Sequence, residues 1–280
     1  MCGELVGGGG YRPDMRIATV NVNGVRAALR KGMLEWLDEA QPDVVCMQEV
    51  RAPDAIVKEA FAGDWHVAHQ ESEFKGRAGV AILSRTPLED VKVAVDVFGP
   101  AGAEATHTGR WVEGTVATPA GPLRVISTYI HSGEVGSQKQ VDKYWFLDLV
   151  TLRLAELSQS HELAIAMGDV NIAHTNLDIK NWKGNLKSAG FLPEERAYLD
   201  AWFGSGWVDV HRTLAGEVDG PYTWWSQRGQ AFDNDAGWRI DYQIASSKLA
   251  ALATTALVHR QKSWDTRWTD HAPLVVDYSL

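Results

Sequence analysis

The stretch Leu163-Ala-Ile-Ala-Met-Gly-Asp169-Val-Asn171 is an apolar run that ends on a carboxylate and an amide. A short apolar run before turn-forming residues is typical of a strand inside a sheet. Four more segments combine a strand pattern with polar residues of the same kind. They are Ile17–Asn23, Val44–Glu49, the run around Asp241, and Thr269-Asp270-His271 before the last strand.

Each of these polar residues has an ordinary explanation when it is taken alone. An Asn or Asp at a strand end is usually a turn former, and Asp241 could form an ion pair with the nearby Arg239. Five such segments together predict something more specific. Strand ends at one edge of a sheet can bring Asn, Glu, Asp and His into a single cleft on a rigid scaffold.

The rest of the chain alternates short strand-like runs with a few helices. The strand candidates are 16–22, 43–49, 66–70, 79–84, 90–96, 110–118, 123–130, 163–169, 222–226, 239–246, 253–260 and 273–278. The helix candidates are 26–40, 137–159 and 194–204. Many strands and few helices predict packed sheets with helices outside. Hairpin-like spacing between residues 79 and 130 favours mixed or antiparallel sheets.

Composition indicates an ordinary globular protein. The chain has 280 residues, of which 45% are hydrophobic and 22% are charged. We expect residues 1–14, with the Gly7–Gly10 run and Pro13, to be a flexible leader, and residues 15–280 to be a single catalytic domain. The formal net charge of −9 excludes a basic nucleic-acid coat, although a local basic patch stays open.

Cysteine content and hydropathy bear on the compartment. Only Cys2 and Cys46 occur, and Cys46 lies in an apolar run, which predicts a buried free thiol. The absence of a disulfide framework is typical of a reducing cytoplasm, so we expect a cytoplasmic protein. The longest uncharged apolar stretch, 249–258, is too short to span a bilayer, and we expect no membrane partner and no obligate protein partner.

The residue types restrict the chemistry of the predicted cleft. Carboxylate and amide oxygens without thiolates suit a hard cation, Mg²⁺ or its substitute Mn²⁺. The sequence has no His-Glu-x-x-His zinc motif and no Gly-x-Ser-x-Gly nucleophile elbow. A carboxylate-bound Mg²⁺ beside Asp and His side chains suits the hydrolysis of a phosphate ester.

Seven segments carry a family resemblance, in the family's order, from about residue 15 to the C-terminus. They are Asn21-Val-Asn-Gly-Val-Arg-Ala27, Gln48-Glu49, Gly79-Val-Ala-Ile-Leu-Ser84, Gly168-Asp-Val-Asn-Ile172, Phe191-Leu-Pro-Glu-Glu-Arg196, Gly237-Trp-Arg-Ile-Asp241 and Thr269-Asp-His-Ala-Pro273. The chain resembles the exonuclease III family of apurinic/apyrimidinic (AP) endonucleases, within the endonuclease/exonuclease/phosphatase superfamily. Gly-Asp-x-Asn and Asp-His mark only the superfamily, whereas the segments at 191–196 and 237–241 are more specific to the AP endonucleases.

The resemblance implies a fold and an activity. The fold is a four-layer α/β sandwich of two packed mixed β-sheets flanked by helices. The activity is that of a Mg²⁺-dependent DNA repair phosphodiesterase that cuts double-stranded DNA 5′ to an abasic site. The products are a 3′-hydroxyl and a 5′ sugar phosphate, and many relatives also remove 3′ blocking groups or nucleotides.

The resemblance also implies roles for individual residues. Glu49 is the main metal ligand, with Asn21, Asn23 and Asp270 near the ion. Asp169 activates or positions the attacking water, Asn171 orients the water and the phosphate, His271 contacts the scissile phosphate, Asp241 orients His271, and Tyr129 reaches the phosphate through its hydroxyl. Without the resemblance, Tyr129 would be interpreted as a core residue at the end of a strand.

One segment departs from the family pattern. Many relatives follow the tyrosine with Pro and then an Asn that contacts phosphate, whereas this chain reads Tyr129-Ile-His131-Ser132-Gly133. Ser132 could donate a shorter hydrogen bond, or His131 could take part.

Substrate binding is expected from aromatic and basic residues. The resemblance makes Trp224, Trp238 and Ile240 the walls of a pocket for the abasic sugar. Strict strand alternation would instead put Trp238 and Ile240 on the face opposite Asp241, so a twist or bulge at Gly237 is required. The residues that we expect to contact DNA phosphates are Lys180, Lys183, Lys187, Arg228 and Arg239.

Two other functions use the same residues. The superfamily's catalytic set also serves phosphatases of lipids or inositol phosphates, and the segments at 191–196 and 238–241 argue against that class. A DNA-binding module without catalysis is the second alternative. The complete set of polar residues at the predicted strand ends argues against it.

Overall fold

A computed structural model describes residues 15–160 and 163–280. The predicted leader, residues 1–14, lies outside the described residues. The strands in the described ranges are β1 (Met15–Asn21), β2 (Val44–Gln48), β3 (His66–Gln70), β4 (Val80–Ser84), β5 (Leu88–Val93), β6 (Trp111–Thr118), β7 (Gly121–Tyr129), β8 (Ala164–Asp169), β9 (Trp207–Asp209), β10 (Asp241–Ser246), β11 (Ala253–Val258) and β12 (Leu274–Tyr278).

The helices are mostly short, and α6 is the longest of those described. They are α1 (Val25–Arg30), α2 (Met33–Ala40), α3 (Asp54–Ala60), α4 (Ala94–Phe98), α5 (Ala103–His107), α6 (Gln138–Ser160), α7 (Pro193–Gly204), α8 (Val210–Ala215) and α9 (Ser247–Ala250). None of the helices in the described ranges is both long enough and apolar enough to cross a membrane.

The strands form two mixed sheets, as predicted, and each sheet has six strands. The first sheet has the order β11-β12-β1-β2-β4-β3, and the second has the order β5-β6-β7-β8-β10-β9. Each sheet has one parallel pair at its centre, β1 with β2 and β7 with β8, and antiparallel neighbours on both sides. The two sheets therefore have the same central arrangement, one parallel pair between antiparallel strands.

Three apolar clusters show the four layers. Side chains of both sheets, such as Ile17, Cys46 and Ile165, share one buried cluster, so the sheets pack face to face. The outer face of the first sheet packs against α1 and α2, and the outer face of the second packs against α6 and α7. This arrangement confirms the predicted sandwich and explains the continuous apolar strands, because central strands are covered on both faces.

Three of the predicted elements differ clearly from those in the structure. The predicted helix 26–40 is two helices, because Gly32 adopts φ 121° between them. The predicted strand 90–96 ends at Val93, where α4 begins. Residues 222–226 are not a strand, since only Trp224 forms isolated bridges, to Trp238 and His271. Cys46 is fully buried and free, as predicted.

Candidate active site

The predicted site residues meet at one edge of both sheets. Asn21, Tyr129 and Asp169 end β1, β7 and β8, and Glu49 directly follows β2. Asp241 begins the antiparallel β10, where it pairs in register with Asp169. Carboxyl ends of parallel strands and amino ends of antiparallel strands therefore share this edge, which brings the five predicted segments together.

His271 lies between two buried carboxylates. Its Nδ1 is 2.8 Å from Asp241 Oδ2, and its Nε2 is 3.8 Å from Asp169 Oδ2. Asp241 is fully buried, and Asp169 and His271 are almost so. The Asp241 contact fixes the orientation of the imidazole, leaving Nε2 directed toward the carboxylate at the end of β8.

Burial and the charges of neighbouring residues together set the pKa values of His271 and Asp169. Burial alone would lower the pKa of His271, but the charge and hydrogen bond of Asp241, with the charge of Asp169, raise it well above its usual range. Burial raises the pKa of Asp169, and the charge of Asp241 adds to this effect against the attraction of His271. The imidazole is therefore cationic near neutral pH, while the Asp169 carboxyl is a better proton acceptor than an exposed Asp.

Two amides connect the carboxylates at the bottom of the cleft. Asn21 Nδ2 donates to Glu49 Oε1 at 2.8 Å and to Asp169 Oδ2 at 2.9 Å. Asn23 Nδ2 donates to Asp270 Oδ1 at 2.8 Å, and its backbone N–H donates to Asn21 Oδ1 at 3.0 Å. The residues predicted to lie near a metal ion thus form one hydrogen-bonded row.

Three site residues adopt left-handed backbone conformations. The φ angles are 46° at Asn23, 50° at Glu49 and 55° at Asn171. Asn tolerates this region, but for a glutamate it is uncommon. The strained Glu49 directly follows a buried strand, where its side chain meets Asn21, so the strain coincides with the edge that collects the polar side chains.

The chemistry of the donor set fits a metal ion. Within the described part of the chain, possible ligand atoms of Asp169, Asp241 and His271 all lie within 4.8 Å of one another, but the cationic His271 has no lone pair for a metal, so the carboxylates are the donors. Asp241 Oδ1 is buried and has no hydrogen-bond partner among the described residues. Glu49 and Asp270 add carboxylate oxygens nearby, and oxygen-rich sites suit hard divalent cations.

An aromatic cluster borders His271. Trp224, Trp238 and Ile240 pack together with Phe191 and Ile179. The Trp224 ring centroid is 6.5 Å from that of His271, and Trp224 Nε1 donates to Asp270 Oδ2 at 3.3 Å. The structure thus brings the three predicted pocket residues together beside His271 and Asp270.

Strand alternation does not apply to Trp238, because β10 begins only at Asp241. Residues 237–240 are irregular, and Trp238 bridges to Ile179 and Trp224 instead. A Cβ at Gly237 would lie 2.6 Å from Trp225 Nε1 and 2.5 Å from Tyr222 Cβ. The glycine therefore allows the backbone of the segment before β10 to pack closely against these aromatic residues.

Four of the five residues predicted to contact DNA phosphates lie on the surface. Lys183 is exposed, with its Nζ 5.3 Å from the Trp182 ring, and Trp182 packs against the aromatic cluster. Arg228 and Lys187 are also exposed, and Lys180 pairs with Asp219 at 3.3 Å.

The prediction for Arg239 is wrong. Its side chain is fully buried and bonds Asp178 and Asp209, each at 2.6 Å, so it cannot face a DNA phosphate. The sequence Arg-Ile-Asp shows that a cationic side chain is present, but it does not show whether that side chain points into the core or toward the surface.

Sequence reasoning missed a buried ion pair that supports the cleft. Lys143 Nζ contacts Glu195 Oε1 at 2.7 Å and the Asn171 carbonyl at 2.8 Å. Glu195 also accepts the backbone N–H groups of Gly190 and Leu192. Glu195 lies in the Phe-Leu-Pro-Glu-Glu-Arg segment, which could have indicated a structural role for this glutamate, whereas a lysine on a helix gave no signal.

The segment that departs from the family pattern lies beside the cleft. Asn171 Nδ2 donates to the Ile130 carbonyl at 3.0 Å, and Ser132 is exposed. Burial, with the charges of Arg110 and Lys143, lowers the pKa of His131 to about 3, so the ring is neutral. The pKa of Tyr129 is raised by burial and by Glu49 and Asp169, which keeps its phenol protonated.

Two face-to-face mixed sheets with flanking helices, and an Asp–His–Asp arrangement at their shared edge, define an α/β-sandwich hydrolase. The chain belongs to the endonuclease/exonuclease/phosphatase family, whose model matches residues 18–271. Within that family it is a hydrolytic nuclease of the exonuclease III and AP endonuclease group.

Known proteins of this group are similar along almost the whole chain. An exodeoxyribonuclease of Bacillus subtilis is 31% identical over 93% of this chain and 98% of its own length. A DNA-(apurinic or apyrimidinic site) endonuclease of Dictyostelium discoideum is 30% identical over 95% and 71%. The structure of an AP endonuclease from Archaeoglobus fulgidus superposes with a TM-score of 0.81 at 28% identity, covering 95% of this chain and all of that one.

Proposed function

We propose that this protein is a Mg²⁺-dependent phosphodiesterase that cuts double-stranded DNA on the 5′ side of an abasic site. The observation that carries the proposal is the Asp169–His271–Asp241 arrangement directly beside the Trp224–Trp238–Ile240 cluster. The relatives' names, an exodeoxyribonuclease and an AP-site endonuclease, support DNA as the substrate. Removal of 3′ nucleotides or blocking groups would use the same site.

The proposal gives each residue at this edge one role. Asp169, whose pKa is raised, accepts a proton from the attacking water or holds it, and Asn171 orients the water and the phosphate. The cationic His271, oriented by Asp241, stabilises negative charge on the phosphate oxygens. The protonated Tyr129 donates to the phosphate.

The metal ion would be bound by Glu49 as the main ligand, with Asp270, Asn21 and Asn23 near it. When bound, Mg²⁺ or Mn²⁺ would supply positive charge for the transition state. The hydrogen-bonded row of these four residues prepares the oxygen donors for a hard cation.

Residues 15–280 would act as one catalytic domain. Glu49 and His271 belong to segments of the first sheet, whereas Asp169 and Asp241 belong to the second. Neither sheet alone carries the full set of catalytic groups, so the proposed reaction needs both.

A comparison of substrates tests the proposed function against its alternatives. We expect the protein to incise an abasic duplex with Mg²⁺, to lose this activity in EDTA, and to release no phosphate from inositol phosphates. Phosphate release without incision would favour a superfamily phosphatase. Tight DNA binding with no metal-dependent turnover on either substrate would favour a binding module.

Trp238 tests the proposed abasic pocket. Its indole would leave room for a sugar without a base and clash with a complete nucleotide. We expect Trp238→Ala to lower the ratio of cleavage at abasic sites to cleavage at normal nucleotides by about tenfold, the usual scale for one lost steric contact. Competitive incision of the two duplexes measures this ratio.

Trp145→Ala is a matched control, because Trp145 is also partly buried but packs in the cluster under α6. It is expected to leave the ratio unchanged. A Trp238→Ala protein with a lowered melting temperature and the wild-type ratio would show that Trp238 is a core residue and that selectivity lies elsewhere.

The exposed lysines near the cluster test the DNA-facing surface. Each phosphate contact adds about 0.9 to the log–log dependence of affinity on salt. Replacing both Lys183 and Lys187 with Ala is therefore expected to make the slope shallower by about 1–2. Binding measured over a salt series gives this slope, and an unchanged slope and affinity would place the DNA surface elsewhere.

A further inference from the structure

A cavity of about 490 Å³ borders Glu49 and Tyr129 at the end of the cleft away from the aromatic cluster. Four basic side chains and one carboxylate line it. The basic residues are Arg51, Arg77, Arg110 and Lys139. The excess of positive charge around one concave space makes it a site for an anion.

Not all of this charge is neutralised within the protein. Arg51 pairs with Glu49, and Lys139 pairs with Glu134 at 2.8 Å. Across the described ranges, Arg77 and Arg110 form no ion pair. Arg110 Nη1 donates to the Tyr129 carbonyl at 3.1 Å, so the guanidinium is held against the strand that ends at the active site.

Three buried nitrogen atoms of the lining residues have no hydrogen-bond partner among the residues that the structure describes. They are Arg51 Nε, Arg110 Nε and His131 Nδ1. Buried polar atoms are normally paired, and the two guanidinium N–H groups of Arg51 and Arg110 can only donate, so they indicate a ligand that brings acceptor oxygens to this cationic cavity. A phosphate group has the charge and the acceptors that Arg residues bind.

The order of the strands places this cavity relative to the cleavage site. In the second sheet β8 lies between β7 and β10, and Asp169 pairs in register with Tyr129 on one side and Asp241 on the other. Tyr129 lines the cavity, and Ile240 of the aromatic cluster precedes Asp241. The cavity and the cluster therefore lie on opposite sides of Asp169.

On the basis of the incision reaction proposed above, we propose that this cavity binds the phosphate one linkage 5′ of the scissile bond, through Arg110 and Arg77. A strand with its abasic sugar in the aromatic cluster has its scissile phosphate at Asp169 and His271. The next phosphate in the 5′ direction then reaches this cavity, which we call the Arg110 cavity. The cavity positions the strand, and its arginine residues take no part in bond cleavage.

A charge-neutral methylphosphonate at that linkage tests the contact. Duplexes with one tetrahydrofuran abasic analogue carry the methylphosphonate one linkage 5′ or one linkage 3′ of the scissile bond, or none. Affinities are measured in EDTA, which prevents incision. For the wild type, the 5′ methylphosphonate is expected to weaken binding by about tenfold or more, the scale of a hydrogen bond to a charged group.

In Arg110→Gln and Arg77→Gln, the 5′ methylphosphonate is expected to lower the binding affinity by less than about threefold, because the arginine charge that would contact this phosphate is already gone. Arg85→Gln is the matched control: Arg77 precedes β4 and Arg85 follows it, so Arg85 lies at the opposite edge of the same sheet. The 5′ methylphosphonate should lower the affinity of Arg85→Gln as much as it lowers that of the wild type. Arg77→Gln changes an exposed side chain, so it provides the test even if Arg110→Gln fails to fold.

Equal losses in the wild type and both arginine variants, or coupling only to the 3′ methylphosphonate, would overturn this assignment. If the wild type still incises the unmodified abasic duplex with Mg²⁺, that result removes the phosphate subsite and leaves the proposed function. A wild type that does not incise the duplex would overturn both.

Discussion

Asp169→Asn is expected to lower the rate of abasic-site incision by about 10²–10⁴-fold, the range for loss of a general base. Asn keeps the shape of the side chain but cannot take a proton from water. Affinity for abasic DNA should stay within about threefold of the wild type, because binding rests on phosphate contacts elsewhere. Single-turnover incision and an equilibrium binding assay separate these two quantities.

Asp277→Asn is the matched control. Asp277 is also largely buried, but it pairs with Arg16 near the far end of β12 from His271. It is expected to retain the wild-type incision rate once folding is verified. If Asp169→Asn incises at nearly the wild-type rate, Asp169 is not the group that activates water.

Glu49→Gln is expected to raise the Mg²⁺ concentration for half-maximal incision and to lower the rate at low Mg²⁺ by about 10–100-fold. The substitution removes the charge that would bind the cation while it keeps the length of the side chain. Loss of one group at a metal site commonly has an effect of this size. Incision rates over a Mg²⁺ titration measure both changes.

High Mg²⁺ is expected to restore part of the rate in Glu49→Gln. It is expected to restore none of the rate in Asp169→Asn, because that variant lacks the group that takes the proton from water. This difference separates a ligand from a water-activating group. An unchanged Mg²⁺ dependence in Glu49→Gln would remove Glu49 from the metal site.

The sequence was sufficient to predict the layers and the edge that carries the chemistry. Strands such as β2 and β8 are apolar throughout because both of their faces are covered, and that continuity is visible in the sequence. Their polar ends stand out against it. Asp169 was predicted from such an end, Asp241 from a carboxylate inside a strand pattern, and His271 from the segment just before the last strand. The sheet order brings the three together.

Side-chain direction in irregular segments could not be predicted. Arg239 and Trp238 are neighbours, yet Arg239 is buried between two aspartates and Trp238 borders the cleft. The period of a strand gives no guide there, because β10 begins two residues after Arg239. The Arg110 cavity was missed for a related reason: its basic residues come from separate segments and meet only in the fold.

The position and metal dependence of the cut test the central claim most directly. A duplex with one abasic site, labelled at the 5′ end of the damaged strand, is incubated with the wild type in Mg²⁺ or in EDTA, and the product length and 3′ terminus are determined. We predict one product that ends in a 3′-hydroxyl immediately 5′ of the abasic site, formed only with the metal and absent from the undamaged duplex. Cleavage on the 3′ side of the site, or incision that persists in EDTA, would contradict the proposed function.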